Sequence, residues 1–173
     1  MNIINKTTVY DGFFKLYKIT LEEAGETFDR EVFVTGNAVA ALLYDTRKEK
    51  FIFVKQYRAA VEQEMLELVA GILDKEDESA EEAITREIEE EAGYAVDSLE
   101  HILDFHPSPG AFAEKLHLFY GQVSRKIGKG GGLEDENENI KLLELTKDEI
   151  RQKQLLDGKT VIAVQWAQLK GII

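Results

Sequence analysis

The stretch from residue 71 to residue 94 constrains this chain more than any other part of its sequence. It opens with a glycine, reads Arg-Glu-Ile-Glu-Glu-Glu over residues 86–91, and reaches a second glycine at Gly93. Glycine commonly ends helices because it adopts a positive φ without steric strain. The pattern therefore predicts a turn followed by a helix over about residues 78–92.

Three glutamates of this predicted helix share one face. Glu87, Glu90 and Glu91 stand at positions i, i+3 and i+4, which lie within about 60° of one another on a helix. Arg86 precedes Glu90 by four residues and can pair with it. Like charges on one stripe repel one another unless a cation lies among them, and hard divalent cations such as Mg²⁺ prefer oxygen ligands and often serve phosphate chemistry. A glutamate run taken alone is more often a solvated helix face.

The order and spacing of these residues resemble the Nudix box. That motif runs glycine, a spacer, glutamate, seven residues and then Arg-Glu-aliphatic-x-Glu-Glu-x-Gly-apolar, and Glu78 and residues 86–94 fall in register with it. The spacer between Gly71 and Glu78 is one residue longer than in the common form, so we expect a difference in the loop before the helix. The resemblance implies an α/β fold, a Nudix α/β/α sandwich around a mixed sheet with an N-terminal antiparallel strand region.

Composition excludes several classes of partner and chemistry. The chain has 173 residues, enough for one domain with a full core, and a net charge of −12, which argues against nucleic acid and anionic membrane surfaces. It has no cysteine, so disulfides and thiolate chemistry are excluded. The N-terminus lacks the apolar core of a signal peptide, and no apolar run approaches the roughly 20 residues of a membrane span. We therefore expect a cytoplasmic protein.

Hydrophobic patterning divides the chain into two regions. Alternating apolar and polar positions over residues 7–35 predict antiparallel strands joined by a turn at residues 23–26. Further strands are predicted at 38–44, 51–57, 100–105, 116–123 and 140–145, and helices at about 147–155 and 159–170, with residues 66–70 leading into the box helix. Mixed strands with helices on either side favour a sandwich. We divide the chain into an N-terminal strand region, residues 1–35, and a Nudix hydrolase domain, residues 36–173.

Beyond the box, the chain resembles the Nudix nucleotide-sugar pyrophosphatases over nearly its whole length. Enzymes of the ADP-ribose pyrophosphatase type carry Ser-Pro-Gly downstream of the box, as this chain does at residues 108–110. The resemblance makes Pro109 a substrate-binding position, and Glu114 corresponds to a family glutamate that helps to hold the substrate. A tight turn alone could also use Ser-Pro-Gly. Together with the box, the motif indicates a nucleoside diphosphate sugar, not a nucleoside triphosphate.

The same resemblance implies five further substrate-binding residues. Phe13, in Tyr-Asp-Gly-Phe-Phe, matches an aromatic residue that stacks on the base, although core packing is the usual role of a phenylalanine. Arg30 and Glu31 match a pair whose arginine contacts substrate, often across a dimer interface. Arg58 matches an arginine that reaches the pyrophosphate, which suits the paired hydrogen bonds of a guanidinium. Glu67 corresponds to another glutamate of the binding site.

The resemblance also implies a metal-binding set. Its members are the backbone carbonyl of Ala70, the carboxylates of Glu87, Glu90 and Glu91, and a glutamate from a distant loop, here Glu138. These groups would hold Mg²⁺, with Mn²⁺ as an alternative, and the metal would activate a water for attack on the pyrophosphate.

Three positions complete the expected mechanism. Glu138, or its neighbour Glu136, would orient or deprotonate the attacking water as general base. Arg86 would hold the helix carboxylates in register, and Glu78 would support the loop or a metal ligand from outside the coordination sphere. The catalytic set is therefore Arg86, Glu87, Glu91 and Glu138, and the products would be a nucleoside monophosphate and a sugar phosphate.

The sequence has features of enzymes that act on two different nucleotide sugars. Residues 12–14 and 135–140 look like ADP-ribose pyrophosphatases, whereas residues 35–37, 130–132 and 157–160 look like GDP-mannose pyrophosphatases. In the latter enzymes a lysine near the last helix contacts substrate, which makes Lys159 a further binding candidate. ADP-ribose is the favoured interpretation.

The resemblance leaves two other functions to consider, and it implies one assembly state. A non-catalytic Nudix sensor of nucleotide sugars is disfavoured because such modules typically lose box carboxylates, and a housecleaning triphosphatase is disfavoured by Pro109. In the resembling enzymes the N-terminal region swaps between subunits, so residues 1–35 predict a homodimer.

Overall fold

The fold combines two β-sheets with three α-helices, and the computed structural model describes residues 1–73, 75, 77–132 and 140–173. Within these ranges the strands are β1 (Asn2–Asp11), β2 (Lys15–Glu23), β3 (Glu26–Val34), β4 (Asn37–Asp45), β5 (Lys50–Arg58), β6 (Gln63–Glu67), β7 (Val69–Leu73), β8 (Tyr94–Phe105), β9 (Leu116–Lys126) and β10 (Lys141–Leu145). The helices are α1 (Ala80–Glu87), α2 (Lys147–Gln152) and α3 (Gly158–Leu169), and a π-helical turn (Ile88–Ala92) continues α1. None of these helices combines the length and the apolar character needed to cross a lipid bilayer.

The N-terminal region forms a separate three-stranded antiparallel sheet in the order β1-β2-β3. The predicted turn at residues 23–26 joins β2 to β3, with Ala24 at φ 53° and Gly25 at φ 84°. The structure adds strand β1, which begins at Asn2, before the alternating pattern of residues 7–35. Every residue of β1 is exposed.

The second sheet is mixed and contains the buried strands predicted from continuous apolar runs. Its main path is β10-β5-β4-β9-β8, with β6 paired to β5 and β7 paired to β4. β4 and β9 are parallel, whereas the other pairs are antiparallel. β4 and β5 lie inside the sheet and are covered on both faces, which explains their near-continuous apolar sequences.

Helices cover both faces of this sheet. One core contains residues of α1 and its π-helical turn packed on alternate residues of β4, such as Val39 and Ala41. The other core contains residues of α2 and α3 packed on the intervening residues of β4, Ala40 and Leu42. The opposite directions of successive strand side chains thus divide the core into two layers. The predicted α/β/α sandwich around a mixed sheet is confirmed.

The two sheets are joined by backbone and aromatic contacts. Phe33 of β3 donates its N–H to the carbonyl of Ala111 at 2.8 Å and accepts from the N–H of Ala113 at 2.9 Å. Its ring continues a row of edge-to-face contacts that runs through Phe14, Phe33 and Phe112, with centroids 5.5 Å apart at each step. The loop that contains Ser-Pro-Gly is therefore attached to the N-terminal sheet.

Several elements differ from the sequence predictions in kind or in bounds. Residues 63–73 form two paired strands where a simple lead-in to the helix was expected, because β6 forms a hairpin with the preceding strand β5 and β7 pairs with the distant strand β4. β8 begins at Tyr94, six residues before the predicted start, and α2 ends at Gln152, before the predicted 155. The box helix begins at Ala80 and its last five residues are π-helical. Residues 159–170 were expected to be helical, and α3 spans Gly158–Leu169.

Candidate active site

Local interactions fix both ends of the box helix. Ser79 caps the N-terminus, since its hydroxyl accepts from the N–H of Glu82 while the Glu82 carboxylate accepts from the N–H of Ser79. At the other end Gly93 adopts φ 74°, and its N–H reaches the carbonyls of Ile88 at 3.0 Å and Glu89 at 3.1 Å. The first of these bonds spans five residues and is the π-helical one. Such π turns are rare and often occur at functional sites.

Arg86 lies among three carboxylates. Its Nε donates to Glu78 Oε1 at 3.0 Å and its Nη2 to Glu78 Oε2 at 3.2 Å. Its Nη1 reaches Glu87 at 2.7 Å and Glu90 at 3.0 Å, so the predicted i, i+4 pair is present. The hydrogen bonds from Arg86 lower the pKa of Glu78 below its ordinary value. Arg86 therefore neutralises part of the repulsion that this acidic helix would otherwise carry.

Glu91 is a buried carboxylate, with 2% of its surface exposed. The backbone N–H of Ala70 donates to its Oε2 at 3.1 Å, which ties the π-helical turn to β7. A buried glutamate is rare unless its charge is balanced. Glu91 lines the same pocket as Glu87 and Glu90, so the three predicted glutamates are brought together despite the change of helix type.

At Gly71 the backbone of β7 passes close to a side chain of the box helix. A Cβ atom built on Gly71 would lie 2.1 Å from Cδ and 2.2 Å from Oε1 of Glu87. Any side chain at position 71 would therefore occupy the space that the Glu87 carboxylate fills. The glycine that opens the motif has a steric reason here, and it is distinct from turn formation.

The substitution Gly71→Ala should impair turnover without unfolding the protein. The colliding atoms belong to the flexible end of Glu87, which can move away, but a displacement of about 1 Å in a catalytic group can cost roughly 100-fold in rate. Steady-state kinetics and thermal unfolding of the variant test this. In a chain already carrying Glu87→Ala, the same substitution should cause almost no additional loss, and an additive loss would contradict the steric explanation.

The pocket has a volume of about 680 Å³ and contains both acidic and basic groups. The box helix contributes Arg86, Glu87, Glu90 and Glu91, and β7 contributes Ala70 and Gly71. Residues from other elements that line it include Phe13, Phe14, Arg58, Lys75, Glu114 and Lys159. A mixture of carboxylates and cations in one cleft suits a phosphate-containing ligand accompanied by a metal ion.

A buried glutamate organises the basic groups of the pocket. Glu67 is 2% exposed and accepts a paired hydrogen bond from Arg58, with Nε to Oε1 at 2.7 Å and Nη2 to Oε2 at 2.9 Å. Lys159 contacts the same Oε2 atom and also Asp157 at 3.1 Å. Burial alone would raise the pKa of Glu67, but the bond from Arg58 and the charge of Lys159 outweigh it and lower the pKa.

Glu67→Gln is expected to lower the free energy of unfolding by about 2–3 kcal/mol at neutral pH. Breaking a buried ion pair usually costs about 3–5 kcal/mol, and the cost is smaller here because Arg58 remains half in contact with water. The folded-state pKa of Glu67 is lowered from 4.5, so the stabilisation is present above that value and is lost as the pH falls through the folded-state pKa. Urea unfolding at pH 7 and at a pH below 4.5 should show the difference between the two chains shrinking.

Glu64 offers a matched control for this measurement. It lies on the same strand, β6, and also contacts two basic residues, Lys55 and Lys141, but its side chain is exposed. Exposed pairs are screened by solvent and contribute little. Glu64→Gln should therefore change stability far less than Glu67→Gln, and equal effects would show that burial of Glu67 is not the cause.

The predicted substrate residues divide into two groups in the structure. Phe13, Arg58, Glu114 and Lys159 line the pocket, and Glu67 contacts two of them. Phe13 is 85% exposed, so it is not a core residue. Burial raises the pKa of Glu114, with the charge of Lys159 opposing the shift.

Arg30, Glu31 and Pro109 do not line this pocket. Arg30 is exposed, donates to the carbonyl of Asp29 at 3.0 Å and lies over the ring of Phe28. Pro109 is exposed in the loop after β8. Glu138 and its alternative Glu136 lie outside the described residues. Their expected roles remain predictions.

Sequence reasoning missed three participants. Phe14 and Lys75 line the pocket, and Asp157 anchors Lys159 while capping α3 through the N–H of Thr160. The signal for Asp157 was available, since Asp-Gly-Lys-Thr before a helical period is typical of a helix N-terminus. Phe14 and Lys75 had no such signal, because only the folded chain brings them to the box helix.

The donor groups of the pocket fit a divalent metal ion. Glu87, Glu90 and Glu91 offer carboxylate oxygens, and Ala70, which contacts Glu91 directly, lies on the adjoining strand. Hard divalent cations bind sets of this kind, composed of carboxylates and backbone carbonyls. Arg86 contacts one oxygen of Glu87 and one of Glu90. Because carboxylates accept several partners, these contacts are compatible with metal binding.

Comparison with known proteins agrees with the site. A model of the NUDIX domain matches residues 34–165. The chain is 37% identical to an ADP-ribose pyrophosphatase of Haemophilus influenzae, over 98% of this chain and 86% of the relative. It is 35% identical to a GDP-mannose pyrophosphatase of Cronobacter sakazakii, over 100% and 97%. It is 39% identical to a methanol dehydrogenase activator of Bacillus methanolicus, over 84% and 80%.

A fold comparison gives the same result. The crystal structure of an ADP compounds hydrolase matches with a TM-score of 0.81, covering 99% of this chain and 96% of that chain at 22% sequence identity. At this identity the likeness shows the fold alone. Together with the matched domain model, it defines the class: the chain belongs to the Nudix family. The predicted resemblance and enzyme class, a hydrolase of pyrophosphate bonds, are confirmed.

Proposed function

We propose that the protein hydrolyses the pyrophosphate bond of a nucleoside diphosphate sugar in the presence of Mg²⁺, and that ADP-ribose is its substrate, giving AMP and ribose 5-phosphate. The observation that carries the proposal is the pocket itself, where box carboxylates and the cations Arg58 and Lys159 line one cleft. Carboxylates can hold a metal ion, and the two cations can bind phosphate oxygens that the metal leaves uncovered. The relatives with pyrophosphatase names support the substrate class.

Each group has a proposed role. Glu87, Glu90, Glu91 and the Ala70 carbonyl would hold Mg²⁺, with Mn²⁺ as a possible replacement, and the bound metal would neutralise phosphate charge and acidify a water. A water oxygen bonds to phosphorus, the bridging P–O bond breaks, and its electron pair leaves with the departing phosphate. Glu138 is the proposed base, with Glu136 as the alternative, on the strength of the resemblance.

The remaining residues would bind and orient the substrate. Arg58 and Lys159 are already held together by Glu67, so little side-chain entropy would be lost when they contact a diphosphate. Phe13 is exposed at the pocket and would stack on the base, since aromatic rings present a face to any nucleobase. Glu114 would accept hydrogen bonds from sugar hydroxyls.

The alternative substrate is GDP-mannose, because one pyrophosphatase relative carries that name and because Lys159 lines the pocket. The test is turnover of ADP-ribose and GDP-mannose side by side, with Mg²⁺ and with the metal removed by EDTA, using chromatographic detection of AMP and GMP. Faster metal-dependent release of AMP is the expected result. Faster release of GMP would show that GDP-mannose is the preferred substrate. Binding of both without turnover would favour the sensor and overturn the proposal.

We also propose that residues 1–35 form a dimerisation and substrate-contact region attached to a Nudix domain of residues 36–173. Apolar side chains of β1, including Ile3, Ile4 and Val9, are exposed, and Arg30 lies away from its own chain's pocket. A second copy of the chain would cover these apolar side chains of β1. Arg30 would then reach the pocket of that second copy. We place this homodimer in the cytoplasm, with no nucleic acid or membrane partner.

Subunit mixing tests the dimer directly. Glu91→Gln and Arg30→Ala chains should each be weakly active alone, and their mixture should regain activity if Arg30 acts on the partner's pocket. Light scattering at micromolar concentration should show a dimer. A monomer, or a mixture no more active than its components, would overturn this arrangement.

A further inference from the structure

A bulge in the edge strand β8 places three metal-binding side chains together. β8 pairs with β9 so that His101 faces Phe119, Leu103 faces Leu118 and Asp104 faces His117. Between His101 and Asp104, β8 therefore contains one residue more than β9, which is a β-bulge. In a regular strand, residues three apart point to opposite faces. The bulge turns His101 to the same face as Asp104 and His117.

The three side chains converge on one point. Asp104 Oδ1 lies 2.7 Å from His101 Nε2 and 2.9 Å from His117 Nδ1, and all three atoms lie within 4.8 Å of one another. Lys115 Nζ lies 2.6 Å from the other oxygen, Asp104 Oδ2. The hydrogen bond from Lys115, followed by that from His101, holds the pKa of Asp104 well below its usual range. The carboxylate is therefore ionised at neutral pH.

This cluster is separate from the pocket of the box helix. None of its three members lines that pocket. In the strand register, His117 of β9 pairs with Val39 of β4, and Val39 pairs with Gly71 of β7. At about 4.8 Å per strand, the backbone of His117 lies roughly 10 Å from that of Gly71. Any ion held here would occupy a second site.

We propose that His101, Asp104 and His117 form a binding site for a transition-metal cation such as Zn²⁺. Two imidazoles and a carboxylate suit Zn²⁺, whereas Mg²⁺ prefers oxygen ligands throughout. Tetrahedral coordination with bonds of about 2.0–2.1 Å places ligand atoms roughly 3.3 Å apart. The separations of 2.7 and 2.9 Å from Asp104 would have to open by roughly half an ångström, and the two imidazole nitrogens, which lie within 4.8 Å of each other, would have to reach the same spacing. The exposure of His101 and Asp104 leaves room for water as a fourth ligand.

The surroundings of the cluster define how the site would behave. Binding requires neutral imidazoles, so a proton on either ring would compete with the cation. The positive charge of Lys115 opposes the cation, but its contact with Oδ2 orients Oδ1 toward the histidines. A bound ion would link His101 and Asp104 of β8 to His117 of β9 and would stabilise the pairing of these strands at the bulge.

Calorimetric titration with Zn²⁺ in the presence of excess Mg²⁺ tests the proposal. The intact protein should bind one Zn²⁺ per chain in addition to any held by the box glutamates. His101→Ala and His117→Ala should each weaken this binding at least tenfold. His106→Ala is the matched control, because His106 is the third histidine of the chain and lies outside the cluster. It should bind Zn²⁺ as the intact protein does.

A second measurement separates this site from the pyrophosphate site. In a Glu91→Gln chain the Zn²⁺ binding that depends on His101 and His117 should be unchanged, and the imidazole NMR signals of these two residues should shift while that of His106 does not. Circular dichroism would establish that each variant is folded. Absence of histidine-dependent binding, or equal loss in all three histidine variants, would show that the cluster is only a hydrogen-bonded network and would overturn the proposal, whatever the outcome of the turnover assays.

Discussion

Replacing Glu91 by glutamine is expected to lower turnover by roughly a thousand-fold while leaving the fold intact. Glutamine has the same shape, and its carbonyl oxygen can still accept the hydrogen bond from Ala70 at the buried position. The substitution removes one negative charge next to the proposed metal ion. A bound metal ion contributes several kcal/mol of transition-state stabilisation. A loss of about 4 kcal/mol corresponds to a factor of about 10³. Single-turnover rates with ADP-ribose and Mg²⁺ measure the effect.

Glu89 provides the control for this experiment. It belongs to the same π-helical turn, but its side chain is exposed and does not line the pocket. Glu89→Gln removes the same charge from the same segment and should leave both turnover and thermal stability nearly unchanged. If the two variants lost activity equally, the general charge of the helix would be responsible and not the proposed metal-binding role of Glu91.

Gly93→Ala should cause a large loss of stability, for two separate reasons. Gly93 has φ 74°, where a side chain costs about 1–2 kcal/mol. The added Cβ would also lie 2.6 Å from the carbonyl oxygen of Gly128 and 2.8 Å from the N–H of Gly130. Backbone atoms cannot move aside as a flexible side chain can, and overpacking of this kind costs about 1–3 kcal/mol more. We expect a total near 3 kcal/mol and a thermal midpoint lowered by roughly 10 °C.

Gly25 separates the two causes. It also has a positive φ, 84°, but a Cβ at this position meets nothing within 4 Å. Gly25→Ala should therefore show the conformational strain alone and lose about 1–2 kcal/mol. Calorimetric unfolding of both variants isolates the packing contribution. Equal losses would mean that the backbone at residues 128–130 accommodates the added Cβ at no cost, and would contradict the packing explanation.

Much of the fold was predictable because its signals are local. The apolar run of β4 indicated a strand covered on both faces, and the turn at residues 23–26 was marked by its glycine. The spacing of the box residues indicated which helix face would line the pocket. Arg86 pairs with Glu90, as the helical spacing required. These inferences depend on side-chain periodicity and backbone preference within one segment, which a sequence contains in full.

Other features depended on pairings between distant segments. β7 needed the distant strand β4 as its partner, and the π-helical turn ends where Gly93 meets the loop at residues 127–131. The role of Glu67 became visible only when α3 brought Lys159 beside it, 92 residues further along the chain. No local preference contains such contacts, because they depend on how the whole chain packs.

The sequence by itself determined the family, the helix that carries the acidic residues, and the chemistry that those residues can perform. Only the tertiary structure decided which cations share the pocket, why Gly71 must lack a side chain, and how a bulge in β8 brings His101 to Asp104. The physical reason is the same in each case. Residue spacing sets which side chains share a face of one element, whereas strand register and helix docking set which faces meet.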